Sequence, residues 1–363
     1  MKRPLALVAL RKTDDGGRFG RNRFVIYIGF TLPLLEKALI ARIRRQARAG
    51  NRVMTGIGDD SAVLRFPPGH EALVTTDFTL EGIHFRRQWH AAESVGHRCL
   101  TRGLSDIAAV GGEPIAAFLS LALPRDLPQN WVDGFIRGLL KLATRFGVSL
   151  AGGDTAQSPD GILADIVVVG SVPRGKAMLR SGARPGDRVY VSGTLGGSAA
   201  TLERMRAKPK SKLNPRDFAA HFFPEPRLGL GRALGEKSLA SAMIDISDGL
   251  STDLAHICEE SGVGAEIEKE SIPKAAIGKP AQEVDLRFAL HGGEDYELLF
   301  TAPRGRRIPA RIAGVPVTQI GHIVRGKKVF MTNKSGEAQE LVSKGWQHFA
   351  RKEDHRRTGI HQK

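Results

Sequence analysis

The chain is poor in cysteine and aromatic residues: two cysteines in 363 residues, and an aromatic content of 6%. Cys99 and Cys258 supply neither a disulfide framework nor the ligand spacing of a zinc site. Both fall in apolar helical patterns, where a buried structural thiol is the ordinary reading, so a reducing compartment fits and a cytoplasmic location is expected. No HExxH, no zinc-spaced histidine pair, no HRD or DFG kinase set and no GxGxxG after a first strand is present. One near match to a phosphate-binding P-loop, Gly170 to Ala177, ends in Ala where a Mg²⁺-binding Ser or Thr is required, and Pro173 interrupts it. A mostly apolar run near the N-terminus, Phe24 to Leu35, is too short to span a bilayer and is followed by no cleavage pattern. Residues 1–32 therefore read as a poorly ordered extension or as upstream sequence included by the choice of start codon, and no membrane association is expected.

Acidic residues are outnumbered by basic ones, 38 to 54, giving a net charge of +16. That excess invites a nucleic-acid reading, but its distribution opposes one. Residues 1–33, 204–216 and 350–363 carry +14 of it, in two tails and one loop. The body of the chain is close to neutral, and no nucleic-acid partner is expected. At 41% hydrophobic with 42 glycines, the sequence is globular, rich in turns and long enough for two domains.

Helical spacing runs from Leu35 to Gln46, from Ala92 to Val110 and from Trp131 to Phe146. Strand patterns cover Ala72 to Asp77, Pro114 to Leu123, Val148 to Ala151 and Ile162 to Val172. A Gly-, Pro- and Arg-rich stretch from Pro173 to Gly186 marks a domain boundary near residue 173. The second half restarts with a strand (188–191), a Gly-rich turn into a helix (192–198), a basic insert (204–216), a strand (242–246), a helix (250–260), a strand (296–301) and a helix-to-strand unit (311–320). Alternating strands and helices in both halves predict two α/β or α+β domains, 33–172 and 173–349, with a basic tail at 350–363.

The chemistry concentrates in acids placed beside glycine at strand ends or on an apolar helix face. They are Asp59, Asp60, Asp77, Asp106, Asp154, Asp245, Asp248 and the pair Glu294 and Asp295. Asp106 falls on the stripe of Val95, Cys99, Gly103 and Val110, where an unpaired carboxylate is costly. Oxygen-only ligands suit Mg²⁺, and Mg²⁺ held by carboxylates usually works beside phosphates. Each acid by itself also fits an ordinary turn or cap. Gly152-Gly153 and Gly193 to Ser198 offer backbone N–H groups for a phosphate. Two readings stay open for three other residues: His84 as a packed loop histidine or a ligand contact, Arg180 as a solvated or a phosphate-binding arginine, and Trp346 as a core cap or a stacking platform.

Taken in order, GIGDDSAV (56–63), TTDFTLEGIHF (75–85), LSDIAAVGGEP (104–114), AGGDT (151–155), LRSGARPGD (179–187), IDISDGL (244–250) and HGGEDYELLF (291–300) resemble the thiamine-monophosphate kinase family. That family lies in the superfamily of aminoimidazole ribonucleotide synthetase (PurM), selenophosphate synthetase and HypE. The resemblance runs from about Pro33 to Phe349. It implies a two-domain PurM-like fold, a homodimer joined through its N-terminal sheets, and Mg²⁺-dependent transfer of the ATP γ-phosphoryl group to thiamine monophosphate. It also implies roles. Asp60, Thr75, Thr76, Asp77, Asp106, Asp154, Asp245 and Asp248 match Mg²⁺ ligands, of which Asp60, Asp77, Asp106 and Asp154 organise the reacting phosphates. Gly153, Asp154, Arg180 and Ser247 match nucleotide contacts, and His84, Glu294 and Trp346 match thiamine-phosphate contacts. The family pattern is usually shorter around 204–216.

Other members of the superfamily fit less well. A reactive Cys before the first Gly-rich motif, expected of selenophosphate synthetase, is missing, and the sequence ends without the Cys expected of HypE. Aminoimidazole ribonucleotide synthetase and a non-catalytic nucleotide sensor or basic scaffold are the remaining alternatives.

Overall fold

The computed structural model describes residues 34–345. The expected extension over 1–32, Trp346 and the basic tail lie outside the described residues. In the first half, α1 (Glu36–Gln46) and the short pair β1 (Val53–Thr55) and β2 (Val63–Leu64) precede β3 (His70–Leu80). There follow α2 (Ala92–Ala109), β4 (Glu113–Pro124), α3 (Gln129–Arg145), β5 (Ser149–Ser158) and β6 (Leu163–Pro173). The second half contains β7 (Arg188–Ser192), α4 (Gly197–Ala207), α5 (Ala219–Phe222), α6 (Leu228–Glu236), β8 (Ala242–Ile246), α7 (Leu250–Ser261) and β9 (Gly264–Glu268). It ends with β10 (Ala276–Ile277), β11 (Gln282–Glu283), α8 (Leu286–His291), β12 (Glu297–Ala302), β13 (Arg311–Ile312), β14 (Val315–Val324), β15 (Val329–Thr332) and β16 (Ala338–Glu340).

The first sheet has the order β3-β6-β4-β5, with β4 and β5 parallel and the other pairs antiparallel. The second runs β16-β15-β9-β14-β7-β12-β8, with β13 paired to β14. Both halves are mixed α/β, as the alternating pattern predicts.

Helix α2 joins the halves. It is buried on nearly every side, packing on β3 and β6, on α3, and on α6 and β8 of the second half. Backbone approach to α3 is close: a Cβ on Gly96 would sit 1.9 Å from the Phe135 carbonyl oxygen, and one on Gly138 would sit 2.0 Å from that of Glu93. Helix α2 therefore carries polar groups from one domain into the seam with the other.

Three expectations need correction. Strand β3 does not end on Asp77 but continues to Leu80, because it pairs with β6 along its whole length, from His70 opposite Pro173 to Leu80 opposite Leu163. Strand β5 does not stop at Ala151. It runs through Gly152-Gly153-Asp154-Thr155: the register with β4 slips at Ala151, and the two glycines then pair opposite Phe118 and Leu119. Residues 311–320 form no helix: Ala313 and Gly314 both have positive φ, 48° and 81°, and make the two-residue turn of a β13–β14 hairpin.

Candidate active site

Side chains alternate along β3, so Thr75 and Asp77 face α2 whereas Thr76 faces away. Thr75 Oγ1 donates a hydrogen bond to Asp106 Oδ2 on α2. Asp77 and Asp106 stand close enough that each carboxyl acts on the proton affinity of the other. One residue before Asp106, Ser105 Oγ donates to Asp245 Oδ2 at 2.6 Å, which brings the end of β8 against the same group. Burial, reinforced by the Asp106 charge and opposed by Arg102, pushes Asp77 up to about 7. Burial followed by the Asp106 charge pushes Asp245 up to about 7 as well, and burial also raises Asp106. Three carboxyls from the two halves thus act on one another with too little positive charge nearby. Such a donor set fits a hard divalent cation, which would replace the retained protons.

A second group adjoins it. Asp253 caps the start of α7 by accepting from the N–H groups of Asp248 (3.2 Å) and Gly249 (3.0 Å). Burial, then the charges of Asp245 and Asp248, raise its carboxyl well above the usual range. The ligand atoms of Asp248, Asp253 and His256 all lie within 4.8 Å of one another. Asp253 and His256 were not foreseen from the sequence, although their i, i+3 spacing on one helix face was visible there.

Beside these acids opens a cleft of about 370 Å³, lined in part by Asp77, His84, Arg102, Ser247, Asp248 and Glu294. Glu294 is its best-defined anchor. Arg98 Nη2 donates to Glu294 Oε2 at 2.5 Å, and Arg102 Nη2 to Oε1 at 3.2 Å. Although burial acts to raise it, the two arginines hold this carboxyl well below the usual range. Positive φ at Glu294 (65°) and Tyr296 (53°) twists the chain, so that neighbouring acids serve different partners. Asp295 accepts from the N–H groups of Gly196 (2.6 Å) and Ser198 (3.4 Å), fixing the start of α4. His84 Nδ1 accepts from the Leu80 N–H at 2.9 Å, so the proton of the neutral ring sits on Nε2. The carbonyl of Ser247 accepts from the Glu294 N–H at 2.8 Å.

The remaining expected site residues are not gathered into this cluster. The Thr76 hydroxyl donates to Asp165 at 2.7 Å on the opposite, outer face of the first sheet, so it is not aimed at the Asp77–Asp106 pair. Asp154 is exposed and lies on that outer face too, because Asp154 and Asp165 both stand opposite Ser120 in the sheet. Gly153 precedes it with φ 139°, and a Cβ there would fall 1.9 Å from the Leu119 carbonyl oxygen. Asp60 is exposed; its N–H donates to the Asp59 carboxylate at 2.9 Å, which makes Asp59 the residue that shapes the turn. Arg180 is exposed, and its charge acts on Asp106 and Asp245. Arg98 and Arg102 were missed from the sequence. Their signal was a spacing of four that continues to Asp106 along α2.

Comparisons with known proteins identify the family. The AIR synthase related protein N-terminal domain matches residues 58–172, and the corresponding C-terminal domain matches residues 184–334. The thiamine-monophosphate kinase of Escherichia coli K12 is 38% identical over 325 residues, covering 87% of this chain and 98% of that protein. The crystal structure of thiamine-monophosphate kinase from Stenotrophomonas maltophilia superposes with a TM-score of 0.72 at 35% identity, covering 84% of this chain and 98% of that one. A structure of AaThiL complexed with AMPPCP and TMP has a TM-score of 0.69 at 34% identity, covering 88% of this chain and all of that one, 100%. With relatives at this identity matched over nearly their whole length, the chain belongs to the thiamine-monophosphate kinase family of AIR synthase related proteins.

Proposed function

We propose that this chain is an ATP-dependent kinase that phosphorylates thiamine monophosphate to thiamine diphosphate. The observation that carries the reading is one cleft with an acid group that demands cations on one side and Glu294, clamped by two arginines, on the other. A phosphate oxygen of thiamine monophosphate attacks the γ-phosphorus of ATP. The bond from that phosphorus to the β–γ bridging oxygen breaks, and ADP leaves. The attacking oxygen is already ionised, so no strong general base is required. Two phosphates about 4 Å apart repel by about 4 kcal/mol at an effective dielectric of 20. Mg²⁺, when bound, supplies the charge that offsets this repulsion. Asp77, Asp106 and Asp245, with Asp248 beside them, are the residues that would hold it. Glu294 and His84 orient the thiamine end, and Arg180 and Ser247 face the nucleotide.

Thr76, Asp154 and Asp165 face outward with two apolar neighbours, Val74 (69% exposed) and Phe78 (55% exposed). This supports a homodimer in which a second copy covers the outer sheet face and completes the site there with Asp60, Gly153 and Asp154. The domains run from 33 to 172 and from 173 to 349. Among the described residues, no helix is long and apolar enough to cross a membrane. Purified protein given ATP, Mg²⁺ and thiamine monophosphate forms one thiamine diphosphate per ADP, and free thiamine is not an acceptor. ADP release without thiamine diphosphate, or equal use of free thiamine, overturns the reading.

A further inference from the structure

The proposed reaction has no use for the segment from the last turn of α4 to α6, which contains the basic run 204–216. Beyond that run the chain folds back on itself. Met205, Phe218 and Phe222 are buried together, and Leu213 and Trp89 pack against them. Trp89 belongs to the loop 82–90 that lines the cleft. Next to it, His90 Nε2 stands 2.9 Å from His221 Nε2 on α5, and His221 Nδ1 stands 2.9 Å from Ser198 Oγ at the start of α4. His90, His221 and Ser198 are 3%, 1% and 2% exposed. On α2, His97 Nε2 and Thr101 Oγ1 both reach the Pro224 carbonyl, at 2.8 and 3.4 Å, and hold the far end of the segment.

Burial, aided by the Arg98 charge and opposed by Glu294, pushes His90 down to about 4 and His221 well below its usual range, so both rings are neutral. Two neutral imidazoles whose Nε2 atoms meet share a single proton, and their outer nitrogens then need complementary partners. Both directions close. With the proton on His221 Nε2, Ser198 Oγ donates to His221 Nδ1, and His90 Nδ1 donates to the Arg86 carbonyl at 3.1 Å. With it on His90 Nε2, His221 Nδ1 donates to Ser198 Oγ, and His90 Nδ1 accepts from the Arg86 N–H at 3.2 Å. In either case a chain of hydrogen bonds ties the cleft loop at Arg86 to the start of α4. There the Ser198 N–H meets Asp295, the neighbour of Glu294.

We propose that His90, His221 and Ser198 are positioning residues. The segment 204–224 acts through them as a strap that fixes the loop 82–90 against α4 and so sets the affinity for the thiamine-phosphate acceptor. This rests on reading the Glu294 cleft as the acceptor site. Three full-length variants test it by steady-state kinetics in both substrates, with thermal melts: His221→Phe, which keeps a buried ring but loses both hydrogen bonds; His221→Gln, which restores one donor and one acceptor; and Glu294→Gln as a control on the site. His221→Phe raises the KM for thiamine monophosphate about tenfold, equivalent to ~1.4 kcal/mol, while the KM for ATP stays within about twofold. His221→Gln recovers part of the loss. If His221→Phe is insoluble, Ser198→Ala shows the same split at smaller amplitude. An unchanged acceptor KM in His221→Phe or Ser198→Ala, with a raised one in Glu294→Gln, overturns the strap. Equal rises for both substrates overturn it in favour of general packing. No effect of Glu294→Gln on the acceptor overturns the underlying site reading instead.

Discussion

Replacing Asp77 by Asn removes a charge that the metal-free fold resists, and the sign of the effect depends on pH. Burial and the adjacent Asp106 lift the Asp77 carboxyl from 3.8 to about 7. Holding it ionised in the fold therefore costs on the order of 4 kcal/mol, an upper figure because Asp106 and Asp245 share the same repulsion. A carboxyl whose pKa is raised by folding contributes its stability in the protonated form. The contribution is complete below the unfolded value and is lost as pH climbs through about 7. Without Mg²⁺, Asp77→Asn is therefore more stable than the parent near pH 8, and the two converge near pH 4. His90 has the opposite slope, losing stability as pH falls from 6.5 towards about 4, but it is common to both proteins and cancels in the difference. Excess Mg²⁺ reverses the order near pH 8, because only the intact acid group gains the full binding energy. Thermal melts in chelator and in Mg²⁺, near pH 5 and pH 8, read the effect as several °C. A parent-to-variant difference that is the same at both pH values, or insensitive to Mg²⁺, refutes the reasoning.

Asp106→Asn keeps the fold and lowers turnover by about 100-fold or more at limiting Mg²⁺, measured as thiamine diphosphate formed; near-normal turnover contradicts its role. Glu294→Gln leaves Arg98, whose side chain is 5% exposed, without its charge partner. It lowers the melting temperature and, by a separate kinetic readout, raises the KM for thiamine monophosphate more than that for ATP. Gly153→Ala meets the Leu119 carbonyl and an unfavourable φ, costing about 1–3 kcal/mol locally, and weakens binding of ATP analogues in calorimetry. Phe78→Asp places a charge on the exposed sheet face and shifts the sedimentation coefficient from dimer to monomer; an unchanged value removes the proposed interface.

Much of the site was legible because its acids follow local rules. Asp106 breaks the apolar stripe of a helix, and Asp245 is the one charged residue of a short buried strand, so each announces itself within its own element. Neighbouring residues were harder to separate. Thr75 and Thr76 look alike in sequence, yet strand alternation sends one hydroxyl to Asp106 and the other to Asp165 on the opposite face. The glycines before Asp154 read as a loop because glycine weakens a strand in isolation, whereas pairing with β4 over its full length keeps β5 extended. Contacts made across long separations left no local trace. Arg98 meets Glu294 across 196 residues and His90 meets His221 across 131, so their partners become visible only once α2 and the second sheet are docked.

The central claim is direct transfer between two phosphates in one cation-organised cleft. ATP labelled at the γ-phosphate, mixed with excess enzyme, Mg²⁺ and thiamine monophosphate and quenched within one turnover, tests it. The label appears in the terminal phosphate of thiamine diphosphate with no labelled protein at any time point. Label retained on the protein, or released as inorganic phosphate without labelled thiamine diphosphate, contradicts the account.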